Sequence, residues 1–111
     1  MSTPKRKTAA EPRLCPLFHR AVELIGRRWT GAIVRILLAG PARFGGLKSR
    51  IPDLSDRLLS ERLKELEDAG LVERAVEQDR PVTVSYRLTA RGRALEPALD
   101  AIGRWAEEWL E

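Results

Sequence analysis

Cysteine and histidine are scarce in this chain, and each scarcity excludes a class of chemistry. A single cysteine, Cys15, rules out a disulfide within the chain. A single histidine, His19, leaves no imidazole cluster for a metal and no histidine-based catalytic constellation. No glycine-rich loop is available to cradle a phosphate, and no nucleophile stands beside a base at a recognisable spacing. An enzyme therefore has no candidate centre, and neither a metal nor a cofactor is expected. Apolar runs are also short. The longest, Ala32 to Ala39, is interrupted by Arg35 and is far from the roughly 20 residues that span a membrane, so no membrane partner is expected. No apolar stretch follows the basic N-terminus before Cys15, which argues against a secretory signal and makes the cytoplasm the expected location.

What is present is one domain's worth of chain, with basic charge in particular places. At 111 residues it can bury one modest core. Lysine and arginine exceed aspartate and glutamate by 20 minus 16, a net charge of +4 that alone does not establish a polyanionic partner. Placement says more. Lys5, Arg6, Lys7 and Arg13 stand near the N-terminus against one acid, Glu11, and Arg43, Lys48, Arg50, Arg57 and Arg62 gather in the middle of the chain. Residues 1–12 are small, polar and basic without periodicity, which reads as a flexible basic tail ahead of a domain over residues 13–111.

Pro16 suits the first turn of a helix running through Leu17, Ala21, Val22, Leu24 and Ile25 to a turn at Gly26. Trp29 opens a second helix, whose broad apolar set (Ile33, Val34, Ile36, Leu37, Leu38) predicts burial and which Gly40-Pro41 stops. Next comes FGGLKSRIPDLSDRLLSERLKELEDAGLVER, from Phe44 to Arg74. Pro52 cannot continue its first helix, Ser55 can cap the second, and Gly70 supplies the left-handed residue that ends it. On the second helix Leu58, Leu59, Leu63, Leu66 and Ala69 fall on one side, and Arg57, Ser60, Glu61 and Lys64 on the other. Arg62 lies near the packed side, where its stem can cover apolar surface while its head pairs with an acid. Leu71 to Val76 reads as a strand. A second strand follows in which Val82, Val84, Tyr86 and Leu88 alternate with polar residues, after the polar loop Glu77 to Pro81. Helix, turn, helix and hairpin in this order make a winged helix-turn-helix, mainly α with a small β-hairpin wing.

Thr89 can cap a last helix in which Leu95, Leu99, Ile102, Trp105 and Trp109 recur at spacings of three and four, with Pro97 restarting or kinking it. A domain of this size can hardly cover two tryptophans on one stripe by itself. The simplest partner is a second copy, which places Leu99, Ile102, Trp105 and Trp109 in a dimer interface and aligns two reading helices with two half-sites. Stacking of tryptophan on a planar ligand ranks well behind packing.

The stretches CPLFHRAVELIGRRWTGAIVRILLAGPARFGGLKSRIP, LSDRLLSERLKELEDAGLVER and VSYRLTARGRALEPALDAIGRWAEEW together resemble the HxlR family of bacterial winged helix-turn-helix transcriptional regulators. The resemblance runs from Cys15 to about Trp109. Its most specific pieces are Cys15-Pro16, Ile25-Gly26 to Trp29, Arg43-Phe44, Leu63 to Gly70 and Tyr86 to Thr89. The chain departs from the family pattern at Arg27-Arg28, where glycine and lysine are commoner, a difference of the local turn. The resemblance implies a homodimer joined through its terminal helices that binds double-stranded DNA and represses or activates nearby genes.

Within that frame Arg57, Ser60, Glu61 and Lys64 become candidates for base and phosphate contact, with Arg57 and Ser60 nearest the helix start. Lys64 falls later, toward the backbone. Arg43, Lys48 and Arg50 can screen phosphates, and Arg80 at the wing tip is either a backbone or minor-groove contact or an ordinary solvated charge. Cys15 precedes a helix whose N-terminal partial charge favours negative charge, with Arg13, His19 and Arg20 nearby in sequence. It is either a thiol sensor of oxidants or electrophiles, a use that the resemblance implies for some family members, or a small side chain at the dimer interface. A small-molecule effector is a further open reading. Repression is the expected output, since a dimer lying across a promoter needs no further contact surface. The rival reading is a winged helix that binds another polypeptide through the same face, without specific DNA binding.

Overall fold

The structure, a computed structural model, describes residues 15–78 and 80–110. The tail assigned to residues 1–12 lies outside them. The chain runs α1 (Pro16–Ile25), α2 (Thr30–Leu38), β1 (Ala42–Arg43), α3 (Phe44–Arg50), α4 (Asp56–Asp68), β2 (Val72–Glu77), β3 (Thr83–Leu88), α5 (Ala90–Arg93) and α6 (Glu96–Trp109). Among the described residues no helix is long and apolar enough to cross a membrane.

Local chemistry sets most of these boundaries. Pro16 stands in the first turn of α1, where its missing N–H leaves no bond unmade. Ser55 Oγ accepts from the Leu58 N–H at 3.1 Å and so starts α4. At the other end Gly70 takes φ 79°, and the Leu71 N–H returns 2.9 Å to the Leu66 carbonyl, closing the helix as a left-handed glycine allows.

The core is assembled around one face of α4. Leu59, Leu63 and Leu66 meet Ile33, Val34 and Leu37 of α2, Leu47 of α3, and Ile51 and Leu54 from the intervening turn. Leu71, Val72 and Leu88 close it from the base of the hairpin, and Leu99 from α6. Arg35 Nη1 lies 3.2 Å from Asp100 Oδ1, a surface ion pair that joins α2 to α6.

Three details depart from the sequence-based expectation, and two more add to it. Trp29 stands just outside α2 rather than opening it, with φ 76° in the left-handed region. The sheet has three strands in the order β1-β3-β2, all antiparallel, because Ala42 and Arg43 pair with Tyr86 and Ser85. A two-residue bridge carries no periodicity to read. Val82 precedes β3 and is exposed, as is Val76, whereas Val72 and Leu88 at the hairpin base are buried. The hairpin projects beyond the core, so its alternation fades along its length. The final helix is two: Thr89 Oγ1 accepts from the Gly92 N–H at 3.1 Å to cap the short α5, and α6 restarts with Pro97 in its first turn. Finally, α1 buries none of its residues.

The α5 segment sits tightly on the end of α4. Thr89 Oγ1 donates to the Gly70 carbonyl at 2.6 Å, and Arg91 Nη1 to the Ala69 carbonyl at 3.1 Å. Gly92 passes so close that a Cβ there would fall on the carbonyl oxygen of Leu71. Gly92→Ala is therefore expected to lower stability by about 1–3 kcal/mol, as overpacking does, read as a lower denaturation midpoint with an unchanged slope in urea.

Candidate nucleic-acid interface

α4 divides into two faces of opposite character. Leu59, Leu63 and Leu66 are buried, while Arg57, Ser60, Glu61 and Lys64 are all exposed. These four occupy the face that the leucines leave free, as 3.6 residues per turn requires. Ser55, Arg57, Leu58 and Glu61 line a shallow depression at the start of the helix. That concave stretch combines a donor, an acceptor and an apolar edge, which are the elements needed to meet base edges.

The exposed face is close to charge-neutral. Arg57 Nε lies 3.4 Å from Glu61 Oε2, and Lys64 Nζ lies 2.9 and 3.2 Å from the two oxygens of Asp68. Exposed pairs of this kind add little to folding. Their consequence is for binding: a face whose cations are offset by neighbouring acids attracts phosphate weakly, so uniform affinity must come from elsewhere.

The remaining basic candidates are dispersed around α4. Arg43 is exposed on β1 and sits in register with Ser85 and, beyond it, Ala75. Lys48 is half-buried and its Nζ donates to the Pro52 carbonyl at 3.3 Å, which ties it to the turn of the helix-turn-helix. Arg50 ends α3 and is exposed, and Arg80 is exposed in the loop between β2 and β3. Two further exposed cations escaped the sequence reading. Arg74 on β2 pairs across the ladder with Tyr86, and Arg87 on β3 lies 2.8 Å from Glu73. Both sit inside strands, where their period was read as alternation and not as charge.

Arg62 lies where the helical wheel places it, on the packed side. It is 7% exposed, and its head bonds to the Arg28 carbonyl and to Glu65. Cys15 is exposed at the N-cap position of α1, with no side-chain capping bond, while His19 Nε2 lies 3.3 Å from Glu23 along the same helix. Of the stripe on α6, Ile102, Trp105 and Trp109 are exposed, the two tryptophans at 55% and 67%. Leu99 differs, at 6%: it faces inward as part of the protomer's own core, on the side of α6 that packs against α2. Leu17, Phe18 and Val22 of α1 add a second exposed apolar face.

The hydrogen bond to Asp68, aided by that carboxylate's charge, holds the Lys64 ammonium above the ordinary lysine range. A raised lysine contributes its small stabilisation below the ordinary lysine value and loses it as pH rises through the raised one. Asp68→Asn is therefore expected to lower the Lys64 titration midpoint, followed by NMR of the side-chain ammonium, with almost no change in stability at neutral pH.

Comparison with known proteins agrees with this arrangement. The HxlR-like helix-turn-helix family matches residues 24–111. The chain is 46% identical over 101 residues to the uncharacterized HTH-type transcriptional regulator YvaP of Bacillus subtilis, covering 91% of this chain and 94% of the relative. The reduced form of the transcriptional regulator YodB from B. subtilis superposes with a TM-score of 0.82 at 41% identity, over 89% of this chain and 97% of that one. The redox regulator HypR in its oxidized form gives 0.78 at 34% identity, over 85% and 96%. With its helix-turn-helix, its wing and nearly its whole length matched, the chain belongs to the HxlR-like helix-turn-helix family of DNA-binding transcriptional regulators and is not an enzyme.

Proposed function

We propose that the protein acts as a homodimeric, sequence-specific repressor. In this reading α4 enters the major groove and the two copies of α4 address two half-sites about one helical turn, or a small multiple of it, apart. Arg57 grips guanine, Glu61 accepts from a base amino group, and Ser60 and Lys64 hold a base edge or phosphate. Arg43, Lys48, Arg50 and Arg80, with the basic residues ahead of the domain over residues 13–111, hold the backbone. The observation that carries the reading is the exposed row Arg57, Ser60, Glu61 and Lys64 on a helix whose other face is packed into the core. Repression follows from occupancy alone, since a dimer on a promoter excludes other proteins.

Ile102, Trp105 and Trp109 of α6 and the apolar residues of α1 form the dimer contact in this reading. An exposed pair of tryptophans on one helix is hard to account for otherwise. Trp105→Asp should then convert a dimer into a monomer in sedimentation velocity and weaken DNA binding with it. Cys15 gives the dimer its signal input: the thiol is exposed and either adds to an electrophile or, when an oxidant such as a peroxide takes up two electrons and two protons, forms a disulfide with its counterpart in the partner subunit. That HypR is a redox regulator supports this use. Alkylation of Cys15 should lower affinity for DNA, and an unchanged affinity removes the sensing role.

The decisive measurement is binding to the DNA flanking the protein's own gene across a salt series, with wild type and Arg57→Ala side by side. Selective binding is expected, weakened by Arg57→Ala by about 5- to 100-fold, the range for loss of one bidentate base contact. If both proteins bind that DNA and random duplex alike at every salt, unbiased selection from random DNA decides. A winged helix that serves only another polypeptide shows no salt-dependent DNA binding there and tolerates Arg57→Ala.

A further inference from the structure

One charged residue sits on the packed side of α4. Arg62 is the buried charged side chain among the described residues, set between leucines. Its Nε donates to the carbonyl oxygen of Arg28 at 2.9 Å, and its Nη1 donates to Glu65 Oε2 at 3.1 Å. The other oxygen of Glu65, Oε1, is shut off from solvent and makes no aligned hydrogen bond; it lies 3.3 Å from Arg27 Nε. Three side chains thus join the back of α4 to the turn between α1 and α2. That turn is itself strained. Trp29 holds a left-handed backbone at φ 76°, which bulky L-residues adopt only when their surroundings enforce it, and the Arg28 guanidinium stands 5.3 Å from its ring centroid.

Stability does not explain this arrangement. Desolvation offsets the attraction of a buried ion pair, and an apolar side chain of similar volume would fill the same space among the leucines. Direction is what the charge adds. A guanidinium is a planar fork whose donors point along fixed vectors, so meeting both the Arg28 carbonyl and Glu65 fixes the rotation and axial position of α4. Leucine packing alone is more permissive. Rotation of a helix by about 10° moves side-chain tips roughly 6 Å from its axis by about 1 Å, enough to misalign a two-pronged hydrogen bond to a base.

We infer that Arg62, with Glu65 as its partner, is the positioning residue of the reading helix. By latching α4 to the turn at Arg27 to Trp29 it sets the angle at which Arg57, Ser60 and Glu61 meet the bases. It therefore governs selectivity between sequences and leaves general DNA affinity alone. The inference rests on the proposed insertion of α4 into the major groove. It also joins the reading helix to α1, since the latched turn directly follows that helix.

The test compares the full chain as wild type, Arg62→Met, Arg62→Lys and Glu65→Gln. Two probes are used: the duplex that the wild type enriches most from a randomised pool, and a scrambled duplex of equal length. Arg62→Met keeps the stem and removes the fork. It is expected to melt below the wild type, since the Arg28 carbonyl and Glu65 each lose a partner, yet as folded protein to bind the scrambled duplex with unchanged affinity and salt slope. Its affinity for the enriched duplex should fall about tenfold, the size of a misaligned base contact. Arg62→Lys keeps the charge without the fork and should not restore selectivity; Glu65→Gln should show a smaller loss of the same kind. Wild-type discrimination in any folded Arg62 variant overturns the inference. So does a loss of affinity that is equal for the two duplexes, which marks a purely structural role. If Arg62→Met does not fold, Arg62→Lys decides by the same criterion. Should the wild type itself enrich no sequence, the groove insertion fails first and takes this inference with it.

Discussion

A helix that must read another molecule can be held from one side only. In the proposed reading the constraint falls on α4, and the burial of Leu59, Leu63 and Leu66 meets it. Each leucine withdrawn from water contributes about 1.5–3 kcal/mol, far more than any surface ion pair on the opposite face. Much of the fold serves that burial. α2 and α3 form the bed on which the leucines rest, the Ser55 cap and Gly70 set the length of the helix, and α5 locks its far end through Arg91 and Thr89. The exposed row then makes ion pairs only along its own helix and takes no part in the core.

Charge is divided accordingly. On α4 the cations are offset by acids four residues along, so in the proposed reading the face discriminates more than it attracts. In that reading attraction falls to exposed arginines on other elements, Arg43, Arg50 and Arg80, and to the basic residues near the N-terminus. This division suits a protein that must leave random DNA readily, because phosphate contacts supply affinity without sequence information.

The two ends of the domain are under-packed. α1 rests on the core only through the half-buried Leu24 and Ile25, and α6 contributes Leu99 inward while Ile102, Trp105 and Trp109 face out. A chain this short has too little core to cover both helices. The turn that joins α1 to α2 is, by contrast, clamped to α4 by buried charge. The loosest and the most tightly held parts of the protein are therefore neighbours in sequence.

The sequence by itself determined the elements that depend on local chemistry and on period. The cap at Ser55, the stop at Gly70, the two-sided wheel of α4, the inward lean of Arg62 and the restart at Pro97 all follow from residue type and spacing, which the backbone obeys wherever it is placed. So does the family, through stretches specific in combination. The tertiary structure decided whatever needs two distant segments at once. The strand β1 exists only because β3 lies beside it, and Lys48 reaches the Pro52 carbonyl only because the turn folds back. Leu99 is core rather than surface because α6 packs against α2, and Val82 is bare because the hairpin outruns the core. The left-handed backbone of Trp29 and the partners of Arg62 belong to the same class. Period records which face a residue occupies along one helix or strand; what that face meets is set by packing between segments, and no local pattern encodes it.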